Sequence, residues 1–271
     1  KVSTEKYSYT QLPIEEAMYT GGIEYSTTVV TKQGSNDVYY PKFKISSSAT
    51  KENIPKMLEI ITEEMTNSSF DDKERLKQLI SSIKGNIESQ LNSNPVNIGI
   101  IRNLSYFSPA YKCNDLLLGL SYYDFIVDLD KNFDDKYEEM VKNLEEVKDT
   151  LLNRGNMLIT FTGEQKEFNM FRENLSTLLK ATGNKDLPQQ EYDFNFDNKN
   201  EAFSSTMDIL YNLQAFDFTK HGYNYSGKMN VLNNILESDY LFNEIRIKGG
   251  AYGALFGIIN ETNTFLGSYR D

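Results

Sequence analysis

A chain of 271 residues is long enough for one large or two medium domains, and 39% hydrophobic with 13% aromatic content marks it as globular rather than disordered. A net charge of −11 with no compensating Lys/Arg stripe excludes nucleic acid gripped through its phosphates. The single cysteine, Cys113, rules out an internal disulfide, and the single histidine, His221, rules out a zinc site assembled from several nitrogen ligands of this chain.

No stretch approaches the ~18 uninterrupted apolar residues of a membrane span, and Lys1 to Tyr9 has no apolar signal core. The expectation is a soluble, cytoplasmic chain with neither membrane nor nucleic-acid partners.

Residues 9–20 are predicted helical, with Thr10 as cap and Pro13 in the first turn, until Gly21 and Gly22 stop them. Ile23 to Thr31 and Val38 to Ile45 are β-branched and aromatic, and Gly34 and Asn36 supply the turn between these two strands. Helices follow over Thr50 to Met65, with Pro55 in the first turn, and from Asp71 or Asp72 to Leu91. In the second, Leu76, Leu79, Ile80, Ile83, Ile87 and Leu91 make one apolar stripe that reads as core packing.

Another helix is predicted over 97–108, then a loop from Pro109 to Asp115, then a helix from Leu116 to Leu129. Phe133 to Leu152 forms a charged helix whose Glu138, Glu139, Glu145 and Glu146 read as a solvated face. Met157 to Phe161 is predicted as a strand, and 163–181 as an amphipathic helix. Gly183 to Asn200, polar with Gly and Pro, reads as a linker between domains. Met207 to Ala215 alternates as a strand, 216–223 is a loop holding His221 at the surface, and 225–236 is helical.

The last 34 residues are read as a short helix capped by Ser238 or Asp239, a stop at Gly249 and Gly250, and a hairpin. Leu255, Gly257 and Ile259 alternate with Ala254, Phe256 and Ile258, and Glu261-Thr262-Asn263 turns into Thr264 to Tyr269. Arg246 in the last helical turn and Tyr252 at the strand entry are thereby brought together across the glycines. Helix-dipole complementation and ordinary strand packing would also account for these two residues. A phosphate loop is excluded, because such loops run strand, glycines, helix, and here the order is reversed.

The two Gly-Gly pairs occupy the same kind of junction 228 residues apart, which suggests a duplicated domain. The first copy starts late and the second ends early. The fold class expected is α+β: two copies of one domain, mainly antiparallel sheet covered by helices, both truncated, as a fragment would be.

Arg246-Ile247-Lys248-Gly249-Gly250-Ala251-Tyr252-Gly253, followed by Phe265 to Asp271, resembles the pitrilysin family of zinc metallopeptidases, in its presequence protease and falcilysin branch; Thr20-Gly21-Gly22-Ile23 is similar to the start of that branch's third domain. The resemblance implies a clamshell of two halves closing around a peptide, each half holding two copies of one α/β fold. On it, residues 1–183 are most of the third domain, 184–200 the linker, and 201–271 the first part of the fourth. It implies zinc on an inverted His-x-x-Glu-His motif in the N-terminal half, a motif missing here, so this chain alone is expected to bind no metal and to be inactive. It also implies that Arg246 and Tyr252 contact the substrate carbonyl and the transition state, with Gly249 and Gly250 at the substrate-binding strand entry. The partners implied are peptide substrates and the N-terminal half of the same protein. A non-catalytic scaffold and a peptide-binding paralogue of the same fold are the rival readings.

Overall fold

The computed structural model describes residues 1–35, 37–185, 187, 190, 192–196, 199–205 and 208–271. It is mixed, 54% helical and 16% strand, so the sheets are small and helices do most of the covering. The contacts divide the chain into two compact units: Lys1–Ser26, Phe43–Ile83 and Asp128–Glu191; and Thr27–Lys42, Lys84–Val127 and Tyr192–Asp271.

The elements of the first part are helix α1 (Leu12–Tyr19), strands β1 (Ile23–Thr31) and β2 (Tyr39–Ser47), which pair with one another, α2 (Ile54–Asn67) and α3 (Lys73–Ser93). Gln11, not Thr10, stands at the N-cap of α1, and the Thr10 hydroxyl is engaged with Ser8 instead. Asp72 does cap α3, accepting from the Arg75 N–H at 2.9 Å. Asn36, expected in the turn, lies outside the described residues.

The core of the first unit is one face of α2. Ile54, Met57, Leu58 and Ile61 fall three and four apart and bury together with Phe171. Phe171 belongs to α8 (Gln165–Ala181), which starts with a reciprocal capping box between Glu164 and Glu167. Ile23 and Ile45 pack on this core from the two strands. Phe161 does so as well, but residues 157–161 form no strand: Phe161 packs against Phe171 at 4.9 Å while the backbone stays irregular after a 3₁₀ turn at Arg154–Asn156. A side chain anchored in the core substituted for the ladder expected there. α7 (Phe133–Leu151) matches its charged, amphipathic pattern.

In the second unit α4 (Pro95–Leu104) is followed by α5 (Pro109–Leu118) and α6 (Leu120–Lys131). The loop expected over 109–115 is therefore helix. Ser108 precedes Pro109 at the first helical position, where its fixed φ suits the turn. Fully buried Asp115 ends that helix by accepting the backbone N–H of Leu120 at 3.0 Å, and so opens the next across Gly119. Arg102 binds Asp115 at 2.9 Å and grips Glu201 with two donors at 2.8 and 2.9 Å. That fork fastens the chain where it re-emerges from 184–200, a stretch whose described residues form no helix or strand apart from a bridge at Gly183 just before it. The Arg102 guanidinium holds the Glu201 carboxyl down to about 2.

The sheet of this unit has the order β3 (Tyr211–Asp217), β5 (Asn263–Tyr269), β4 (Gly253–Ile259), all antiparallel. β3 starts later than its alternation suggested, and Met207 lies outside the described residues. It continues to Asp217, and the Asp217 carboxylate accepts the Thr219 N–H at 2.9 Å to start a 3₁₀ turn at Phe218–His221. Leu213 projects onto Gly99 of α4, where a Cβ would collide with it, so a glycine allows helix and strand to approach.

Candidate functional site

Two helices were expected between Tyr225 and Ile247, the second capped at Ser238 or Asp239. One continuous helical run is found instead: α9 (Lys228–Ile235), then π-helical turns at Leu236–Tyr240 and Phe242–Lys248. Ser238 does not cap; its hydroxyl donates back to the Asn234 carbonyl, which lets the helix continue. The wider turns leave the last carbonyls reaching past their usual partners. Gly250 N–H donates to Arg246 O at 3.1 Å and Ala251 N–H to Ile245 O at 3.2 Å. Gly250 makes this exit at φ +84°, in the left-handed region where a side chain is strained.

The chain then enters β4, and the register fixes what meets across the strands. Gly253 pairs with Tyr269, and the tyrosine ring covers the glycine where a Cβ would collide. Tyr252, one residue earlier, is 54% exposed and meets Tyr269 edge to face at 5.8 Å. The Arg246 guanidinium carbon lies 5.2 Å from the Tyr252 ring centre and 5.4 Å from that of Phe242. The structure thus brings Arg246 and Tyr252 together on an exposed surface, with Gly249 and Gly250 between them in sequence.

Beside them is an open cleft of about 430 Å³ lined by Glu244, Ile245, Gly249, Gly250, Ala251, Ser268 and Asp271. Glu244 is paired with Lys248 at 2.6 Å. A second cleft of about 500 Å³, rimmed by Asn94, Asn97 and Asn114 over Ile98, Ile101 and Leu118, carries no charged residue.

Sequence reasoning did not single out Arg270. It follows β5 at φ +56° and puts its guanidinium carbon 5.4 Å from the Tyr252 ring centre. The signal that could have found it is the hairpin register: pairing Gly253 with Tyr269 places residues 252 and 270 side by side at the strand ends.

His221 is exposed and meets Phe216 edge to face at 6.0 Å. Cys113 is buried, and burial pushes its thiol up. Among the described residues, no three of His, Cys, Asp and Glu gather where they could hold a metal ion, and no helix is long and apolar enough to cross a membrane.

Residues 1–129 match the sequence model of a family described as associated with the peptidases of family M16, subfamily C. All 271 residues align at 32% identity with Protein HypA of Clostridium perfringens. The whole chain also aligns with presequence protease 1, chloroplastic/mitochondrial, of Arabidopsis thaliana at 23% identity, and with the mitochondrial presequence protease of Yarrowia lipolytica at 25%. These matches support a likeness to the C-terminal region of pitrilysin-family (M16) metallopeptidases. The chain spans 28%, 25% and 28% of the lengths of those three relatives. The site just described lies beyond the residues that the family model covers, and within all three pairwise alignments.

Proposed function

We propose that this chain is the substrate-facing part of the C-terminal half of a zinc metalloendopeptidase that degrades peptides in a closed chamber. The observation that carries the reading is the pairing of Arg246 and Tyr252, one at a helix end and one at a strand start, both presented to solvent beside a cleft. A guanidinium and a phenol O–H are both donors, and donors aimed at a peptide carbonyl strengthen their bonds as negative charge develops on its oxygen. Their role is to orient the carbonyl and stabilise that charge; Gly249 and Gly250 leave room for a peptide backbone beside them.

The donor set of this chain does not fit zinc, so the metal is assigned to residues outside it, in the N-terminal half of the same protein. The repeat supports placing residues 1–183 in one domain and 201–271 in the next, joined through 184–200. Both Gly-Gly pairs follow a helix, precede a pair of strands, and put the second glycine at positive φ, +103° at Gly22 and +84° at Gly250.

The test uses the full-length protein. Arg246→Ala and Tyr252→Phe are each expected to lower kcat ~100-fold, the cost of losing one transition-state donor, with zinc content by metal analysis unchanged. Normal turnover in both variants would sink the reading and leave a scaffold or peptide-binding role.

A further inference from the structure

Arg246 and Arg270 both rest against the ring of Tyr252, at 5.2 and 5.4 Å from its centre. Two guanidinium groups on one ring repel each other, and an aromatic face does not neutralise two full charges. The carboxylates nearest to them in sequence are committed elsewhere. Glu244 is bound to Lys248 at 2.6 Å, and Asp271 accepts from Asn212 at 2.7 Å and from the Ser268 hydroxyl. Among the described residues neither arginine forms an ion pair, although the chain as a whole carries a net charge of −11.

The backbone makes the same point independently. Arg270 sits at φ +56°, a conformation that suits Gly or Asn and strains a long side chain. Asp271 is bonded through both backbone groups to Leu210, at 3.2 and 3.4 Å, and through its side chain to Asn212. The residues around Arg270 thus hold it in a strained position that directs its guanidinium onto Tyr252.

We propose that Arg246 and Arg270 form a two-pronged clamp over Tyr252 that binds a carboxylate of the bound peptide. The inference rests on the peptide-binding reading above and adds to it a ligand chemistry. Guanidinium groups take carboxylates through paired, planar N–H donors, so two of them flanking a ring offer a carboxylate up to four such bonds. That carboxylate belongs either to the free C-terminus of the peptide or to an Asp or Glu side chain.

The experiment uses the full-length protein and four fluorescein-labelled peptides of one sequence. They carry Glu or Gln at one internal position, each with a free-acid or an amidated C-terminus. Binding is read by stopped-flow anisotropy before cleavage, so it does not depend on activity. Wild type is expected to bind at least one carboxylate-bearing peptide ~10-fold more tightly than the Gln amide, and the arm that gains identifies the source. The gain is expected to shrink as salt is raised.

Arg270→Asn, a residue that tolerates positive φ, is expected to abolish the preference and leave the Kd of the Gln amide within twofold; Arg270→Lys is expected to keep part of it. No preference in wild type, a preference that survives in Arg270→Asn, or an equal loss for all four peptides overturns the clamp. The two readings fail separately. Unchanged turnover in Arg246→Ala, with the carboxylate preference of wild type lost in that variant, removes the catalytic role and keeps the clamp; lowered turnover in Arg246→Ala with no carboxylate preference in wild type does the opposite.

Discussion

At Gly21-Gly22 the chain leaves α1 and enters β1; at Gly249-Gly250 it leaves the last helical turn and enters β4. The second glycine of each pair adopts positive φ, yet the surroundings differ. The first pair is tied to the end of β2: Gly21 N–H donates to Ser48 O at 2.7 Å, and Ser47 Oγ donates to Gly22 O at 2.9 Å. The second pair lines an open cleft. Counting 228 residues along, Met18 stands where Arg246 is, Glu24 where Tyr252 is, and Tyr25 where Gly253 is. The turn itself is therefore a device of the fold. Chemistry depends on what flanks it, and only the later junction places a cation and a phenol beside its glycines.

The sharpest way to break this comparison is at the position where a ring and a glycine change places. In β1 the ring belongs to Tyr25, which stacks on Phe43 at 6.1 Å and donates its hydroxyl to Glu64. In β4 the position is Gly253, covered by Tyr269 from across the sheet. Gly253→Val is expected to displace Tyr269, remove the edge-to-face partner of Tyr252, and destabilise the protein by ~2 kcal/mol through overpacking. A thermal melt checks it; an unchanged Tm would mean that the ring does not hold the strand entry.

A smaller effect is expected at the turns. Gly22→Ala and Gly250→Ala each put a Cβ at positive φ, costing ~1 kcal/mol. Both should lower Tm by a few degrees, and only Gly250→Ala should also weaken peptide binding. Equal binding losses from the two would erase the distinction between a structural and an equipped junction.

Much of this was legible from residue type and spacing, because the determinants are local. Each Gly-Gly stop follows from the conformational freedom of glycine, and the helices of α2, α3, α7 and α8 follow from apolar residues recurring at three and four. The pairing of Arg246 with Tyr252 was legible for the same reason, since they stand only six positions apart. What escaped depended on partners distant in sequence or on competing local chemistry. Ser238-Asp239 has the residues of a cap, but Ser238 bonds back to Asn234 and the helix runs on through π-turns. The segment 109–115 lacks a clear stripe and is helical because buried Asp115 joins it to α6 and to Arg102. Arg270 reaches Tyr252 only through the register of β4 on β5.

The smallest effect tests the same comparison electrostatically. Glu16 and Glu244 each stand five residues before the first glycine of their pair. Glu16 is buried; burial raises its pKa, and Lys1 Nζ, 2.8 Å away, only partly offsets this. The neighbouring Glu64 carboxyl raises it further. A carboxyl whose pKa is higher folded than unfolded favours the fold fully below the unfolded value of 4.5, and that stability is lost as pH rises through the folded value. At neutral pH the native state therefore carries the cost of a buried charge. Glu16→Gln is expected to raise Tm by ~2 °C at pH 7 and by nothing at pH 4, consistent with relief of roughly half a kcal/mol in a chain of this size. Glu244 is exposed and pairs with Lys248 on the surface, where solvent screens the interaction. Glu244→Gln should leave Tm unchanged at both pH values. Melts of the two variants at pH 4 and pH 7 decide it: a gain at Glu244, or a gain at Glu16 that persists at pH 4, would show that burial is not what separates the two junctions.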